Sequence, residues 1–207
     1  MSIDVWIAYV GTVLILMITP GPSQLLMLSN SLGNGFKRSL ATASGDLSAN
    51  FLQMVVASLG LASIIVKAQT FFLFIKWIGV AYLIYLGVKI IASQNQNKTA
   101  GRPRVSIRKL YLQGFLTSAA NPKAVIFFAA LFPQFIDPTI PLLEQFLVLS
   151  FTYLVIDGMF LCCYGKFADS INNNRMPDIV NRHMNNVAGA LLIGAAILLG
   201  LRDIEQK

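Results

Sequence analysis

The sequence predicts an all-α membrane protein, with six transmembrane helices arranged as two inverted three-helix repeats. Three observations carry that expectation. Charged residues make up only 12% of the chain and hydrophobic residues 56%, with a mean hydropathy of +0.66. An average soluble domain holds about twice that charge. The apolar residues fall in blocks of the length needed to cross about 30 Å of hydrocarbon, which takes roughly 20 residues of helix. Finally, a polar and then basic stretch over 92–109 divides those blocks into three and three.

The expected spans are Val5–Leu28, Leu40–Val66, Phe71–Ile91, Leu110–Phe132, Phe146–Gly165 and Val187–Leu201. No Lys or Arg precedes Lys37, so the first span reads as a retained helix and not a cleaved signal peptide. It is interrupted by Pro20-Gly21-Pro22. The second span carries Asp46, Asn50 and Gln53 at i, i+4 and i+7, on one helical face. The third is followed by Ser93-Gln94-Asn95-Gln96-Asn97 and a basic run, a composition that stays solvated. The fourth places Gln113, Thr117 and Asn121 along one stripe and is interrupted at Pro122. The fifth carries Tyr153, Asp157 and Tyr164 on one stripe. The sixth is the shortest. Pairs of small residues four apart suit close helix packing: Gly45 with Ala49, Ala190 with Gly194, and Ala196 with Gly200. The organisation expected is one transmembrane domain over 1–207. Repeat one covers about 1–91, a basic loop 92–109, and repeat two about 110–207.

Lys and Arg are distributed unevenly among the loops. Eleven fall on one side: Lys37, Arg38, Lys89, Lys98, Arg102, Arg104, Arg108, Lys109, Lys166, Arg175 and Arg182. Four fall on the other, Lys67, Lys76, Arg202 and Lys207, and Lys123 lies within a span. The positive-inside rule then puts both termini on the non-cytoplasmic face. The same distribution explains the net charge of +7 without nucleic acid, because the cations sit in short loops between spans.

The chemistry lies where polarity enters the spans. Proline removes a backbone donor and clashes with the preceding turn, so Pro20, Pro22 and Pro122 should kink or open their helices, and Gly21 favours a full break. Opened backbone at membrane depth is tolerated only against protein or a wet cavity, where it can bind a polar ligand. Asp46, Lys123 and Asp157 are costly in hydrocarbon and should face the bundle interior. One reading is a buried ion pair of Lys123 with Asp46 or Asp157 that orients the bundle. The other is a hydrated substrate path, in which an acid binds and releases a proton and Lys123 attracts a substrate carboxylate. Matching positions in the two halves, Pro20-Gly21-Pro22 with Asn121-Pro122 and Asp46 with Asp157, favour inverted repeats around a midplane site. The residues expected to line it are Pro20, Gly21, Pro22, Asp46, Asn50, Asn121, Pro122, Lys123 and Asp157.

Other chemistries find no support. Cys162 and Cys163 are adjacent in an apolar span, which suits packing and neither a disulfide nor a metal. His183 sits beside Arg182 in a loop. No zinc spacing, phosphate-binding glycine loop or nucleophile elbow is present, so no cofactor or metal is expected and ATP-driven transport is not encoded. A secondary transporter is the reading that results. Its rivals are a non-transporting scaffold subunit of a membrane complex and an intramembrane enzyme. The expected partners are a small-molecule substrate, protons and the lipid bilayer. A homo-oligomer is compatible with the sequence.

Several phrases resemble the LysE/RhtB family of bacterial amino-acid exporters over nearly the whole chain. They are Ile18-Thr19-Pro20-Gly21-Pro22-Ser23 with Gly35 and Gly45, and Tyr82-Leu83-Ile84-Tyr85-Leu86-Gly87. A third runs Leu116-Thr117-Ser118-Ala119-Ala120-Asn121-Pro122-Lys123-Ala124, then Phe127-Phe128 and Phe132-Pro133-Gln134-Phe135. Asp157 with Tyr164, and Arg182, Asn185 and Gly189, also match. The resemblance implies efflux of neutral or hydroxylated amino acids or related metabolites across a bacterial inner membrane, driven by the proton gradient. The chain departs from the family's pattern at Ser23, where relatives often carry Asn, at Ala49 in place of a glycine, and at Asp46, which is not a usual family residue.

Overall fold

The computed structural model describes residues 1–18, 20–59, 69–92, 105–137, 139–173 and, beyond them, 186–187, 189–190, 193–194 and 197. Among the described residues the architecture is helical throughout, with no strand. Its elements are α1 (Ile3–Ile18), α2 (Pro22–Asn34), α3 (Phe36–Ser58), α4 (Gln69–Ala92), α5 (Ile107–Ala119), α6 (Pro122–Ile126) and α7 (Leu142–Asn173). From α6 the chain continues as a π-helical turn, Phe127–Leu131, and a 3-10 turn, Phe132–Phe135.

Two breaks follow from local sequence. α1 and α2 are bent by 55° about the segment holding Pro20 and Gly21. Pro22 starts α2, where its missing N–H costs nothing, and Gly21 before it is extended. The Gly21 N–H is satisfied by Gln24 Oε1 at 3.0 Å. The second break falls at Ala120 and Asn121. The Asn121 side chain caps α6 by accepting the Lys123 N–H at 3.1 Å, and Pro122 takes the first helical position. Because α5 stops at Ala119, Asn121 does not share a helix with Gln113 and Thr117, as its spacing implied. It belongs to the break. Between α2 and α3 only Gly35 intervenes, at φ +81°, a left-handed conformation that favours glycine.

Contacts sort the helix ends into two groups. The ends of α2 and α7 meet the starts of α3 and α5: Asp169 Oδ1 accepts the Phe36 N–H, Asn34 Oδ1 accepts the Val105 N–H, and the Arg38 guanidinium donates to the Val105 carbonyl. Lys37, Arg38, Arg108, Lys109 and Lys166 gather there, making a basic end. At the opposite end the starts of α1 and α7 meet, with Trp6 donating to Thr152, and the acidic residues Asp4, Asp137 and Glu144 lie near them. Gln145 ties down the preceding loop by accepting from Asp137 N and donating to the Asp137 and Ile140 carbonyls. The Thr139 hydroxyl and amide, both donating to Asp137, hold that exposed carboxyl below its usual range.

Polarity is arranged for a hydrocarbon surround. Ile15 and Phe151 are each 71% exposed, whereas Asp46, Asn50 and Asp157 are each 2% exposed. In water this pattern would waste the hydrophobic effect, but against lipid it costs nothing. Among the described residues Leu142–Ser170 is long and apolar enough to cross a membrane alone, with a mean hydropathy of 2.0, and α1 with α2 passes as a bent pair. α3 has the length, at 23 residues, but Ser39, Thr42, Asp46 and Asn50 lower its apolarity, because that face is buried in protein. α4 covers the third expected span, and α5 with α6 and the two turns covers the fourth. Most of the sixth expected span, residues 93–104 of the basic loop, and His183 lie outside the described residues. Gly189 and Ile193 pack on α4, where a side chain at Gly87 would strike the Gly189 carbonyl and Ile193.

α3 and α5 make the tightest crossing. A methyl at Gly45 would fall on the Tyr111 carbonyl oxygen, and one at Gly114 on the Thr42 carbonyl oxygen. The obstacle is backbone in both cases, so neither neighbour can give way. We expect Gly114→Ala to destabilise the protein in detergent by about 1–3 kcal/mol, the usual cost of overpacking. Gly11→Ala, with open space around it, should be neutral or better. Thermal unfolding of the two purified variants checks this, and equal melting would refute the crossing.

Candidate translocation site

The two breaks face each other in the middle of the bundle, and a polar cluster fills the space beside them. Asn50 of α3 is its centre. Its Nδ2 donates to Asp46 Oδ2 at 3.0 Å and to Asp157 Oδ2 of α7 at 2.8 Å. Its Oδ1 accepts the Ser118 hydroxyl of α5 at 2.8 Å. One amide thus links both carboxyls and three helices. Oδ1 of Asp46 is buried without a hydrogen-bond partner among the described residues. Asp157 and the hydroxyls of Ser23 and Ser118 surround the same carboxyl.

Lys123 reaches across the other break. Its Nζ donates to the Leu16 carbonyl oxygen at 2.9 Å, in the last turn of α1, where the helix leaves carbonyls without intrahelical partners. A cation is favoured there by the helix dipole. The ammonium also lies against Gly21, where any side chain would meet it. Its charge acts on both Asp157 and Asp46. Asn121 extends the link by donating to Ser23 Oγ at 3.4 Å. The second break is thereby plugged into the first.

Most residues expected from sequence converge here. Asp46, Asn50 and Asp157 form the cluster, Asn121 and Lys123 join the breaks, and Gly21 and Pro22 are buried in the first break. Pro20 is exposed, so it shapes the break without lining the cluster, contrary to expectation. Pro122 is placed by its backbone at the start of α6. Among the described residues the carboxyls are almost fully covered by this hydrogen-bonded cluster. A cavity of about 330 Å³ opens at the acidic end, between Met1, Ser2, Ile3, Trp6, Glu144, Gln145 and Val148. Sequence reasoning missed Ser23, Gln24 and Ser118. The available signal was their position as small or amide side chains within one turn of each break. Gln53, expected on the polar face, donates to the Ser118 carbonyl at 3.2 Å.

Broken helices enclosing a buried polar cluster in a lipid-facing bundle define a membrane translocator. The chain belongs to the LysE type translocator family, whose description matches residues 14–203. It is therefore a membrane protein and a transporter, not an enzyme. It is 33% identical to an "Uncharacterized membrane protein" of Vibrio cholerae, over 96% of this chain and 98% of that one. It is 30% identical to the homoserine/homoserine lactone efflux protein of Salmonella typhimurium, over 83% of this chain and 84% of the relative. Against the leucine efflux protein of Salmonella choleraesuis it is 30% identical, over 78% and 82% respectively. No solved structure matches the chain.

The cluster's contribution to stability can be separated from its other roles. Asn50→Val strands two carboxyls and a hydroxyl, and each stranded buried group costs about 1–3 kcal/mol. Replacing Asp46, Asn50 and Asp157 together by Val removes the two stranded carboxyls and leaves only the Ser118 hydroxyl unpaired by the change, and exchanging a buried polar network for apolar residues is often neutral or stabilising. The triple variant should therefore melt at or above the temperature of the single one. A triple variant that unfolds further, additively, would make the cluster a structural device.

Proposed function

We propose that this protein exports amino acids or close derivatives from the cytoplasm, as a secondary active transporter driven by the proton gradient. The proposal includes six spans as two inverted repeats in a bacterial inner membrane, with both termini periplasmic and the basic end cytoplasmic. The observation that carries it is the Asp46–Asn50–Asp157 cluster at the junction of two helix breaks. The Asp46 carboxyl lies among Asn50, Asp157 and the hydroxyls of Ser23 and Ser118, and its Oδ1 makes no close hydrogen bond among the described residues, so it can accept from a bound donor. The ammonium of an amino acid suits it in charge and in donor number. Lys123, already at the break, supplies the opposite charge for a substrate carboxylate. The efflux relatives named for homoserine, homoserine lactone and leucine support a small substrate of this kind.

The same carboxyls account for coupling. A carboxylate binds an ammonium or a proton, and protonation removes the charge that holds the ammonium. Protons arriving from the periplasm displace substrate outward. Loss of the proton to the cytoplasm restores the charge that captures the next substrate. Alternating access comes from one repeat moving against the other.

Cells overproducing the protein should raise amino acids in the medium, and a protonophore should stop the release. Asp157→Asn should insert normally but weaken exchange in vesicles by about 2–5 kcal/mol of lost charge pairing, roughly 30-fold or more. Unchanged efflux across a broad amino-acid panel would defeat the assignment. Normal exchange by Asp157→Asn and Lys123→Ala would make both charges structural.

A further inference from the structure

The polar cluster is closed in two different ways. Toward the basic end the cover is mixed: Met27, Ala43 and Leu161 form a small buried apolar cluster, and polar contacts lie beside it. Asn30 Nδ2 donates to Thr42 Oγ1 at 2.9 Å and to Gln113 Oε1 at 3.2 Å. Ser39 and Thr42 are buried on the same side of α3, below Asp46. The polar contacts among them can be exchanged for contacts with water at a small net cost.

Toward the acidic end the cover is aromatic. Tyr153 lies one turn before Asp157 on α7 and contacts Phe127 and Phe128, with ring centroids 5.6 and 4.8 Å away. Tyr9 of α1 completes the layer at 6.2 Å from Phe127. All four side chains are at most 2% exposed. The layer joins three segments from both halves of the chain. It is closed at a cost, since Tyr9 Oη and Ser150 Oγ are buried without hydrogen-bond partners among the described residues. Opening the layer to water would satisfy both.

Phe127 and Phe128 are also carried on the π turn, in which the Phe132 N–H donates to the Phe127 carbonyl five residues back. A π turn holds one residue more than an α turn and is frequent at functional sites. Shifting that extra residue along the helix re-aims each side chain it passes by roughly 100°, the angle per residue in a helix. The turn follows directly on α6, which begins at the second break, so movement at Asn121–Lys123 is transmitted to both rings.

We propose that Tyr9, Phe127, Phe128 and Tyr153 form the outer gate of the translocation path, with the π turn Phe127–Leu131 as its hinge. The structure is then a state shut by an extended aromatic seal outside and by a smaller, partly polar cover inside. The direction of movement rests on the export reading above, but the gate itself is testable without any substrate.

In a protein carrying Cys162→Ser and Cys163→Ser, Ser118→Cys reports access to the cluster, and Arg108→Cys reports sidedness. A membrane-impermeant thiol reagent should label Ser118→Cys in inside-out vesicles and spare it in right-side-out ones. Adding Tyr9→Ala and Phe128→Ala should raise outer labelling by at least about tenfold, since deleting a buried aromatic removes several kcal/mol from the closed form. Because those truncations can impair folding, a second variant pairs Tyr9→Cys with Phe127→Cys across a cleavable bifunctional thiol linker. Linking should abolish release, and reductive cleavage should restore it. Outer labelling as fast as inner labelling in the parent, outer labelling unmoved by truncation in inserted protein, or continued release while linked would each overturn the gate. Correct labelling with no amino acid exported would leave the gate standing and remove the export reading.

Discussion

A helix broken inside a membrane must have its freed backbone groups satisfied by protein, because hydrocarbon offers no partners. Here each break is closed by the other. Lys123, just past the second break, donates to the carbonyl of Leu16 at the end of α1. Asn121, in the second break, reaches Ser23 just past the first. This reciprocal plugging fixes the two interrupted segments at one depth. It places the Lys123 side chain over Gly21, where a larger residue would crowd the ammonium and the Gln24 amide.

That constraint organises the neighbouring helices. α3 must bring a polar face to the breaks, and it can approach α5 closely because Gly45 and Gly114 remove side chains from the crossing. Asp46 and Asn50 follow within two turns of Gly45 on the same helix, so the crossing sets where the carboxyl and the amide lie. α7 completes the enclosure with Asp157. Asn50 then satisfies groups from three helices with one side chain, and this makes it more central than either acid.

The two covers of the cluster differ in what water can do to them. An aromatic layer loses apolar contact when it opens and gains little hydration, so it stays shut until something displaces it. The polar part of the other cover exchanges one hydrogen bond for another at small net cost. Under the proposed mechanism, unequal seals on opposite sides of one site would give alternating access a default state.

The sequence by itself determined the helical class, the lipid-facing composition, the two breaks and the identity of the inward polar residues. These are local or compositional properties. Proline ends helices wherever it falls, and a charge in an apolar stretch must turn away from lipid. Only the tertiary structure decided which of those residues meet. Nothing in the spacing of Asp46, Asn50 and Asp157 says that one amide joins both acids, and the sequence pointed Lys123 to Asp46, Asp157 or a substrate carboxylate, with no sign of the Leu16 carbonyl it meets. Pro20 was legible as a breaker but not as an exposed one, because a break fixes a bend and leaves its direction to packing. Ser23 and Ser118 were invisible as partners for the same reason: a small hydroxyl gains its role from what is packed against it.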